Sequence, residues 1–231
     1  MRILSIIPAR GGSKGIPRKN LCLVAGRPLI FFTLDAARRS SLLDRTIVST
    51  EDPEIASLCT ELGGEVLLRP DYLATDVSTT RDVLLHVVET LAVTGYLPDA
   101  VMTLQPTSPL RSFRHIDESV RLFQSDPHAD SLVSCVPIPH IYHPLSVMQQ
   151  TSEGYLEPFL DLSQPTRRQD KIPLYARNGA AIYITRTKLL NKYIYGGRLI
   201  PYFMEEYASL DIDTVDDLME ADRRLRILFD T

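Results

Sequence analysis

Short apolar runs alternate with longer segments of helical periodicity, and this alternation restricts the fold more than any other feature of the chain. Ile3 to Ile7 is an Ile-rich run that ends at Pro8, as expected for a strand buried on both faces of a parallel sheet. A helix is predicted over Leu29 to Ala37, with Pro28 near its first turn, and the next strand over Thr46 to Thr50. Because parallel strands need crossover connections, the sequence predicts an α/β fold with a mostly parallel sheet covered by helices.

The same alternation continues to residue 136 and returns near the end of the chain. Further strands are predicted at 65–68, 100–104, 131–136, 175–185 and 199–204, and further helices at 54–62, 80–92, 113–123 and 214–228. Between residue 137 and about 173 the sequence is Pro-rich and irregular, which indicates an insertion. We therefore expect one core domain made of 1–137 and 178–231, with a small inserted segment at 138–177.

Composition and charge exclude several functional classes. With 44% hydrophobic residues among 231 and a net charge of −4, the chain has the composition of a soluble globular protein and no global attraction to nucleic acid or acidic membranes. Any anion site must therefore be a local cluster. Three widely spaced cysteines favour reduced thiols, and Cys135 is expected in the core. The sequence shows no signal peptide and no long apolar run, which favours a cytoplasmic protein without membrane partners.

The loop after the first strand, Pro8 to Asn20, carries three glycines and four cationic side chains. Its backbone N–H groups can hold phosphate oxygens, while Arg10, Lys14, Arg18 and Lys19 neutralise their charge. The loop matches neither the Walker P-loop nor the G-x-G-x-x-G dinucleotide pattern. The alternative interpretation is a solvated basic turn.

A pair of carboxylates near the end of the chain could hold a metal ion. Asp211 and Asp213 alternate across Ile212, which puts both on one side of an extended segment, as a hard cation such as Mg²⁺ requires. The alternative is two exposed acids before a helix whose dipole favours them. Together with the basic loop, the carboxylates would form a site for a metal ion and a polyphosphate.

Two other clusters of polar residues need an interpretation. Gln105, Ser108 and Arg111 offer amide, hydroxyl and guanidinium groups at a predicted strand end, although the prolines there could simply make a rigid turn. His140 and His143 have a spacing that could bind zinc, but two ligands do not make a site, and we interpret them as structural.

Three of these segments resemble, in the same order, motifs of the CMP-sialic acid synthetase family (acylneuraminate cytidylyltransferases), which includes CMP-legionaminate synthetases. They are the basic loop, Leu104 to Arg111 and Ser209 to Thr214. The resemblance implies a three-layer αβα Rossmann-like nucleotidyltransferase fold. It also implies transfer of CMP from CTP to a nonulosonic acid with Mg²⁺, or alternatively Mn²⁺, as cofactor.

The resemblance also implies roles for individual residues. The implied catalytic residues are Arg10, Lys19 and Asp211, and the implied metal ligands are Asp211 and Asp213. The implied nucleotide-binding residues are Ala9, Arg10, Gly11, Gly12, Ser13, Lys14, Lys19, Asn20 and Arg69. The implied sugar-binding residues are Gln105, Ser108, Arg111, Arg167, Arg168, Gln169 and Tyr183.

The predicted insertion bears on oligomeric state. Gln164 to Gln169 resembles an Arg/Gln stretch that family members use across a dimer interface to hold the sugar carboxylate, which implies a homodimer. Arg167 and Arg168 are both candidates, and a solvated charge pair is the alternative. The chain departs from the family by Ser146, where relatives often have Lys, and by an additional small residue in Asn178 to Tyr183.

The expected function is synthesis of CMP-N-acylneuraminate and pyrophosphate from CTP and N-acylneuraminate. The nearest alternative is the same reaction on legionaminate, and less favoured is pseudaminate. CMP-Kdo synthesis is disfavoured because those enzymes carry a differently composed N-terminal loop. A more distant alternative is a non-catalytic nucleotide-binding protein, against which stand the intact basic loop and carboxylate pair.

Overall fold

The computed structural model describes residues 1–12, 15–75, 77–160 and 171–229. Its strands are β1 (Ile3–Pro8), β2 (Leu23–Val24), β3 (Arg27–Pro28), β4 (Arg45–Thr50), β5 (Glu65–Leu68), β6 (Ala100–Thr103), β7 (Ser131–Pro137), β8 (Met148–Gln150), β9 (Leu156–Pro158), β10 (Tyr175–Arg177), β11 (Tyr183–Arg186) and β12 (Leu199–Phe203). Its α-helices are α1 (Leu29–Arg39), α2 (Pro53–Glu61), α3 (Thr80–Val93), α4 (Phe113–Ser125) and α5 (Val215–Phe229).

The main sheet has eight strands, and most of them run in the same direction. Along the sheet the order is β10-β7-β11-β6-β1-β4-β5, and β12 also pairs with β7. β1 pairs in parallel with both β4 and β6, and β4 pairs in parallel with β5. The predicted α/β architecture is confirmed. β11 differs, because it runs antiparallel to both of its neighbours, as β10 does to β7.

The core lies on both faces of this sheet. Along β1, Ile3 and Ile7 pack into a large apolar cluster that includes side chains of α1, α2, α4 and α5. The intervening Leu4 and Ile6 pack into a second cluster with Leu84 and other residues of α3. This alternation explains why the strand is apolar throughout, since side chains of successive residues point to opposite faces and helices cover both.

Side-chain caps determine where several helices begin. The Asp52 carboxylate accepts hydrogen bonds from the backbone of Glu54 and Ile55 at the start of α2. Thr214 and Asp217 form a reciprocal pair before α5, in which each side chain accepts from the other's backbone N–H. The predicted cap at Thr214 is thus confirmed.

The segment at 138–177 has two parts in the described residues. β8 and β9 form a two-stranded antiparallel sheet that is separate from the main sheet. β10 lies within the same range but pairs with β7 of the main sheet. Residues 175–177 are therefore part of the core sheet, although the sequence predicts them in the inserted segment. His143 is buried, and its ring nitrogens are in contact with Ile172 O and Leu145 N, which is consistent with a structural role.

Cys22, Cys59 and Cys135 are all unpaired. Cys135 is buried, as predicted, and burial raises the pKa of the Cys59 thiol to about 11. Within the described parts of the chain, no helix has the length and apolar character needed to cross a membrane.

Candidate active site

The chemically distinctive segments meet at one edge of the main sheet. The basic loop follows β1 and Gln105 follows β6, and parallel strands bring their carboxyl ends to the same edge. The segment around Asp211 reaches that edge too, because Ile212 N donates to Thr107 O at 2.9 Å. The tertiary structure therefore brings together three motifs that lie about a hundred residues apart in sequence.

A cavity of about 360 Å³, which we call the first cavity, opens at this edge. Its charged lining consists of three cations and two carboxylates: Arg10, Lys19, Arg69, Asp211 and Asp213. Its other lining residues are Pro8, Asn20, Leu73, Thr75, Ser78, Thr80, Val83, Gln105, Pro106 and Thr107. Cations together with carboxylates suit a polyphosphate that binds with a metal ion.

Lys19 connects the basic loop with the carboxylate pair. It lies in the short 3-10 helix Lys19–Leu21, and its Nζ donates to Ile212 O at 2.5 Å. The same nitrogen is 3.7 Å from Asp213 Oδ1. Asn20 is buried beside it, and its Nδ2 donates to Arg10 O at 2.9 Å, which supports the loop from within.

The small residues of the basic loop determine its course. The structure describes Ala9, Gly11 and Gly12, but none of them lines the first cavity. The Gly11 N–H instead donates to Glu51 Oε1 at 2.7 Å, and a Cβ at Gly11 would collide with the Asp52 carboxylate. Glycine therefore lets the loop approach the start of α2 closely, and the phosphate contacts of these backbone groups stay a prediction.

The two carboxylates differ in their surroundings. Asp213 is largely exposed, whereas Asp211 is partly buried, and its Oδ1 is a buried atom without a hydrogen-bond partner in the described structure. Burial raises the pKa of the Asp211 carboxyl, and the charge of Asp213 acts in the same direction, whereas the Thr107 side chain and the charge of Lys19 lower it. A buried carboxylate oxygen that lacks a donor is suited to bind a cation.

A second cavity, of about 350 Å³, lies beside the first. It is lined by Gln105, Arg177, Gly179, Ala180, Tyr183, Ile194, Tyr195 and Asp211. Gln105 and Asp211 therefore line both cavities. The Arg177 guanidinium lies over the Tyr195 ring, 4.5 Å from its centroid, and donates to the Tyr183 hydroxyl at 2.8 Å, while that hydroxyl donates to Gly179 O.

Ser108 and Arg111, two of the predicted sugar-binding residues, are not brought to either cavity in the described structure. Both are buried and absent from the described linings of the two cavities. Arg111 donates to Ala181 O at 2.8 Å, Gln105 O at 3.2 Å and Thr33 Oγ1 at 2.6 Å, and burial lowers its pKa to about 9. These bonds support the backbone of the cavity walls, and the sugar contacts of Ser108 and Arg111 stay predictions.

Sequence reasoning located part of this site. Of its predicted residues, the structure brings together Arg10, Lys19, Asn20, Arg69, Gln105, Tyr183, Asp211 and Asp213 around the two cavities. Ser13, Lys14, Arg167, Arg168 and Gln169 lie outside the described residues. Arg177 and Tyr195 were missed: Arg177 directly precedes the Asn178 to Tyr183 segment and could have been noticed, whereas Tyr195 lies in sequence without a pattern.

The chain is similar in sequence to known proteins over nearly its whole length. The family model described as cytidylyltransferase matches residues 4–227. The N-acylneuraminate cytidylyltransferase of Streptococcus agalactiae serotype V is 36% identical over 228 residues, which cover 95% of this chain and 52% of the relative. The CMP-N,N'-diacetyllegionaminic acid synthase of Legionella pneumophila is 36% identical over 224 residues, which cover 94% of this chain and 93% of the relative.

A solved structure is similar in fold over the whole chain. The CMP:2-keto-3-deoxy-manno-octonic acid synthetase complexed with CTP has a TM-score of 0.74 at 18% identity and covers 100% of both chains. At that identity the likeness concerns the fold alone. The chain spans about half the length of the first curated relatives that it matches.

Proposed function

Because the chain belongs to the cytidylyltransferase family, we propose that it transfers CMP from CTP to the anomeric hydroxyl of N-acylneuraminate and releases pyrophosphate. The observation that carries this proposal is the wall that the two cavities share, formed by Gln105 and Asp211. Two substrates in adjoining cavities would meet at that wall, which is where a group must pass from one to the other.

The nucleotide belongs in the first cavity on grounds of charge. A triphosphate carries several negative charges, and Arg10, Lys19 and Arg69 in the lining of the cavity supply positive charge. The leaving pyrophosphate gains charge during the reaction, so cations held in place before the reaction stabilise the transition state. This is the physical basis for the catalytic role that we assign to Arg10 and Lys19.

The acceptor belongs in the second cavity. Its lining offers the Arg177 cation, suited to one carboxylate, and the largely apolar surfaces of Ile194 and Tyr195, suited to acyl groups. An N-acylneuraminate carries one carboxylate and an N-acyl substituent. Tyr183 and Gln105 would complete this site with a hydroxyl and an amide.

We assign Mg²⁺, with Mn²⁺ as the alternative, to Asp211 and Asp213. The fit rests on the unpartnered, buried Asp211 Oδ1 and on oxygen donors of the kind that hard cations prefer. In the described residues, no cluster of three or more His, Cys, Asp or Glu side chains could hold a metal ion, so phosphate oxygens would complete the coordination. When bound, the ion supplies positive charge at the phosphate oxygens.

The chain's own residues mainly position the reactants. In an in-line attack by the sugar hydroxyl on the α-phosphorus, the protein forms no covalent bond, and alignment and charge neutralisation account for the rate. Lys19 is suited to both tasks, because its Nζ contacts Ile212 O beside the carboxylate pair and lines the first cavity. The deeply buried Arg111 fixes the backbone carbonyls of Gln105 and Ala181 and so the shape of the shared wall.

A homodimer is the assembly that we propose, with cytoplasmic localisation. The inserted segment and its neighbours expose many large apolar side chains: Ile141, Tyr142, Met148, Tyr155, Leu156, Phe159, Ile172, Tyr175 and Phe203. A surface of this kind is typical of an interface. Arg167, Arg168 and Gln169 are then proposed to reach the sugar site of the other copy. Light scattering coupled to size-exclusion chromatography should give about twice the monomer mass of 26.0 kDa.

The same reaction on legionaminate is the second candidate. It is favoured by the Legionella relative, because the match covers 93% of that protein but 52% of the Streptococcus protein, at 36% identity in both cases. The pseudaminic acid cytidylyltransferase of Campylobacter jejuni is less similar, at 27% identity.

The test is pyrophosphate release from CTP and Mg²⁺ with N-acetylneuraminate, N,N′-diacetyllegionaminate, pseudaminate or Kdo offered separately. Mass spectrometry would identify each CMP-sugar. Turnover with N-acetylneuraminate supports the first candidate, and preferential turnover with the legionaminate derivative supports the second. If CTP binds and no sugar reacts, the non-catalytic alternative replaces both.

A further inference from the structure

Arg69, one of the cations of the first cavity, forms an ion pair with Glu51, a residue to which the proposed chemistry gives no role. Glu51 follows β4 and Arg69 follows β5, and these strands are paired up to Thr50 and Leu68. Glu51 Oε2 accepts hydrogen bonds from Arg69 Nε at 3.0 Å and Nη2 at 2.8 Å. The side chains are only 15% and 3% exposed, respectively, so solvent screens the pair little.

The other oxygen of the same carboxylate reaches the basic loop. Glu51 Oε1 accepts the Gly11 N–H at 2.7 Å. One carboxylate therefore binds both a cation of the nucleotide cavity and the backbone of the loop that supplies Arg10 and Lys19. Arg69 lines the first cavity, whereas Glu51 is absent from its described lining, so the hydrogen bonds of Glu51 reach the site through Arg69 and the loop.

The opposite end of the same two strands carries a similar ion pair. Arg45 begins β4 and Glu65 begins β5, and Arg45 Nε donates to Glu65 Oε2 at 2.9 Å, with a second contact from Nη2 to Oε1. These side chains are 29% and 47% exposed. They lie at the amino ends of the strands, away from the candidate site, and give a matched control.

We infer that Glu51 is a positioning residue of the nucleotide site, which fixes the Arg69 guanidinium and the basic loop relative to each other. The Glu51 carboxylate accepts three hydrogen bonds, two from Arg69 and one from the Gly11 N–H, and it uses both of its oxygens. Glutamine has a single acceptor oxygen, so Glu51→Gln must direct its amide N–H groups at either Arg69 or Gly11. One side of the connection is then lost, and a nearly buried guanidinium loses its counter-charge.

The inference rests on the proposed function to the extent that CTP is the ligand, and its test is a binding measurement. We would measure the Kd of CTP by calorimetry, with Mg²⁺, for the wild type, Glu51→Gln and Glu65→Gln. Loss of one charged hydrogen bond that orients the site predicts that Glu51→Gln binds CTP about 10-fold more weakly or worse. The control Glu65→Gln should bind within about twofold of the wild type, because exposed ion pairs contribute little.

A purely structural role would give a different pattern. Both variants would then melt at lower temperature, but CTP affinity below the transition would be unchanged. The KM for CTP should rise in Glu51→Gln while the KM for the acceptor stays the same. If Glu51→Gln does not fold, Glu51→Asp keeps the charge but is too short to reach both partners, and it should weaken CTP binding in the same direction.

The possible results separate the two claims. Wild-type protein that does not bind CTP overturns the proposed function together with this inference. If the wild type binds CTP and the Glu51 variants bind it equally well, only the inference is overturned. Tighter binding by Glu51→Gln also overturns it, since the carboxylate would then compete with phosphate for Arg69 and Gly11.

Discussion

The two cavities of the site have similar volumes, about 360 and 350 Å³, but very different charges. Arg10, Lys19 and Arg69 line the first cavity, whereas Arg177 is the cation among the described residues of the second. The wall of the second cavity also contains two aromatic rings, those of Tyr183 and Tyr195. Charge and lining chemistry therefore support the proposed placement of a triphosphate in the first cavity and of a singly charged sugar in the second, which volume alone would not do.

The shared wall makes this comparison testable. A variant in one cavity should alter the binding of one substrate, whereas a variant of Asp211 or Gln105 should alter the step that needs both. Substrate affinities measured separately from turnover distinguish these cases.

The largest effect is expected for Asp211→Asn. Removing the charge of a carboxylate proposed to hold Mg²⁺ should reduce kcat about 100-fold or more, because charge neutralisation at the phosphates is lost. Steady-state kinetics with saturating CTP and acceptor would measure it. The control is Asp216→Asn, an exposed acid in the first turn of α5 that does not line either cavity in the described structure. Near-normal turnover of Asp211→Asn would contradict its assignment.

Lys19→Ala should be nearly as severe. The substitution removes a cation of the first cavity and the contact with Ile212 O, so we expect kcat/KM for CTP to fall about 100-fold. Circular dichroism should show an intact fold. Lys188→Ala, at an exposed lysine after β11, serves as the control. An equal loss in both variants would mean that overall charge, and not the position of Lys19, is responsible.

Arg177→Met should separate the cavities most clearly. The long apolar side chain can still cover Tyr195, but the charge is gone, so we expect the acceptor KM to rise about 10-fold. The Kd of CTP should not change, which calorimetry would establish. Arg198→Met, an exposed arginine before β12, is the matched control. Weaker CTP binding by Arg177→Met would count against the division of substrates between the two cavities.

The smallest effect concerns the support that Asp217 gives to the segment at Asp213 and Thr214. The hydrogen bond from the Thr214 hydroxyl, with the backbone N–H groups of Thr214 and Asp213, keeps the pKa of the Asp217 carboxyl below its usual value. A lowered folded pKa contributes stability above the unfolded pKa of about 3.9, and this contribution is lost as pH falls through the folded pKa. Asp217→Asn should therefore be less stable than the wild type at neutral pH.

Denaturant unfolding at several pH values would measure this difference. The difference in unfolding free energy should shrink as pH falls from about 5 toward 2. A difference that stays constant over that range would show that the hydrogen bonds, and not the charge of Asp217, are responsible.

Periodicity predicted the regular elements well, for a physical reason. β5 has the predicted bounds, and α3 extends the predicted 80–92 by one residue, because buried strands and amphipathic helices leave local patterns. The direction of β11 left no such pattern. A buried strand has the same composition in either direction. β11 runs in the same direction as β10, so its antiparallel pairing is already set where β10 pairs with β7, and no local pattern specifies that pairing.

The candidate site was predictable only in part. Arg10, Lys19, Asp211 and Asp213 stand in short motifs whose residue types indicate their chemistry. The structure places Arg111 in the interior, although its sequence context resembles that of a sugar contact. Conversely, Glu51 and Arg177 stand in no motif that was recognised, and their significance depends on contacts with residues distant in the chain.

The sequence by itself determined that strands alternate with helices, and that a basic loop and a carboxylate pair are available for phosphate chemistry. Both follow from local properties, namely hydrophobic periodicity and residue type. Only the tertiary structure decided that the motifs meet in two adjoining cavities, that Glu51 joins Arg69 to the loop, and that Arg111 is buried. These outcomes depend on which residues far apart in sequence are packed together, and local patterns do not specify that packing.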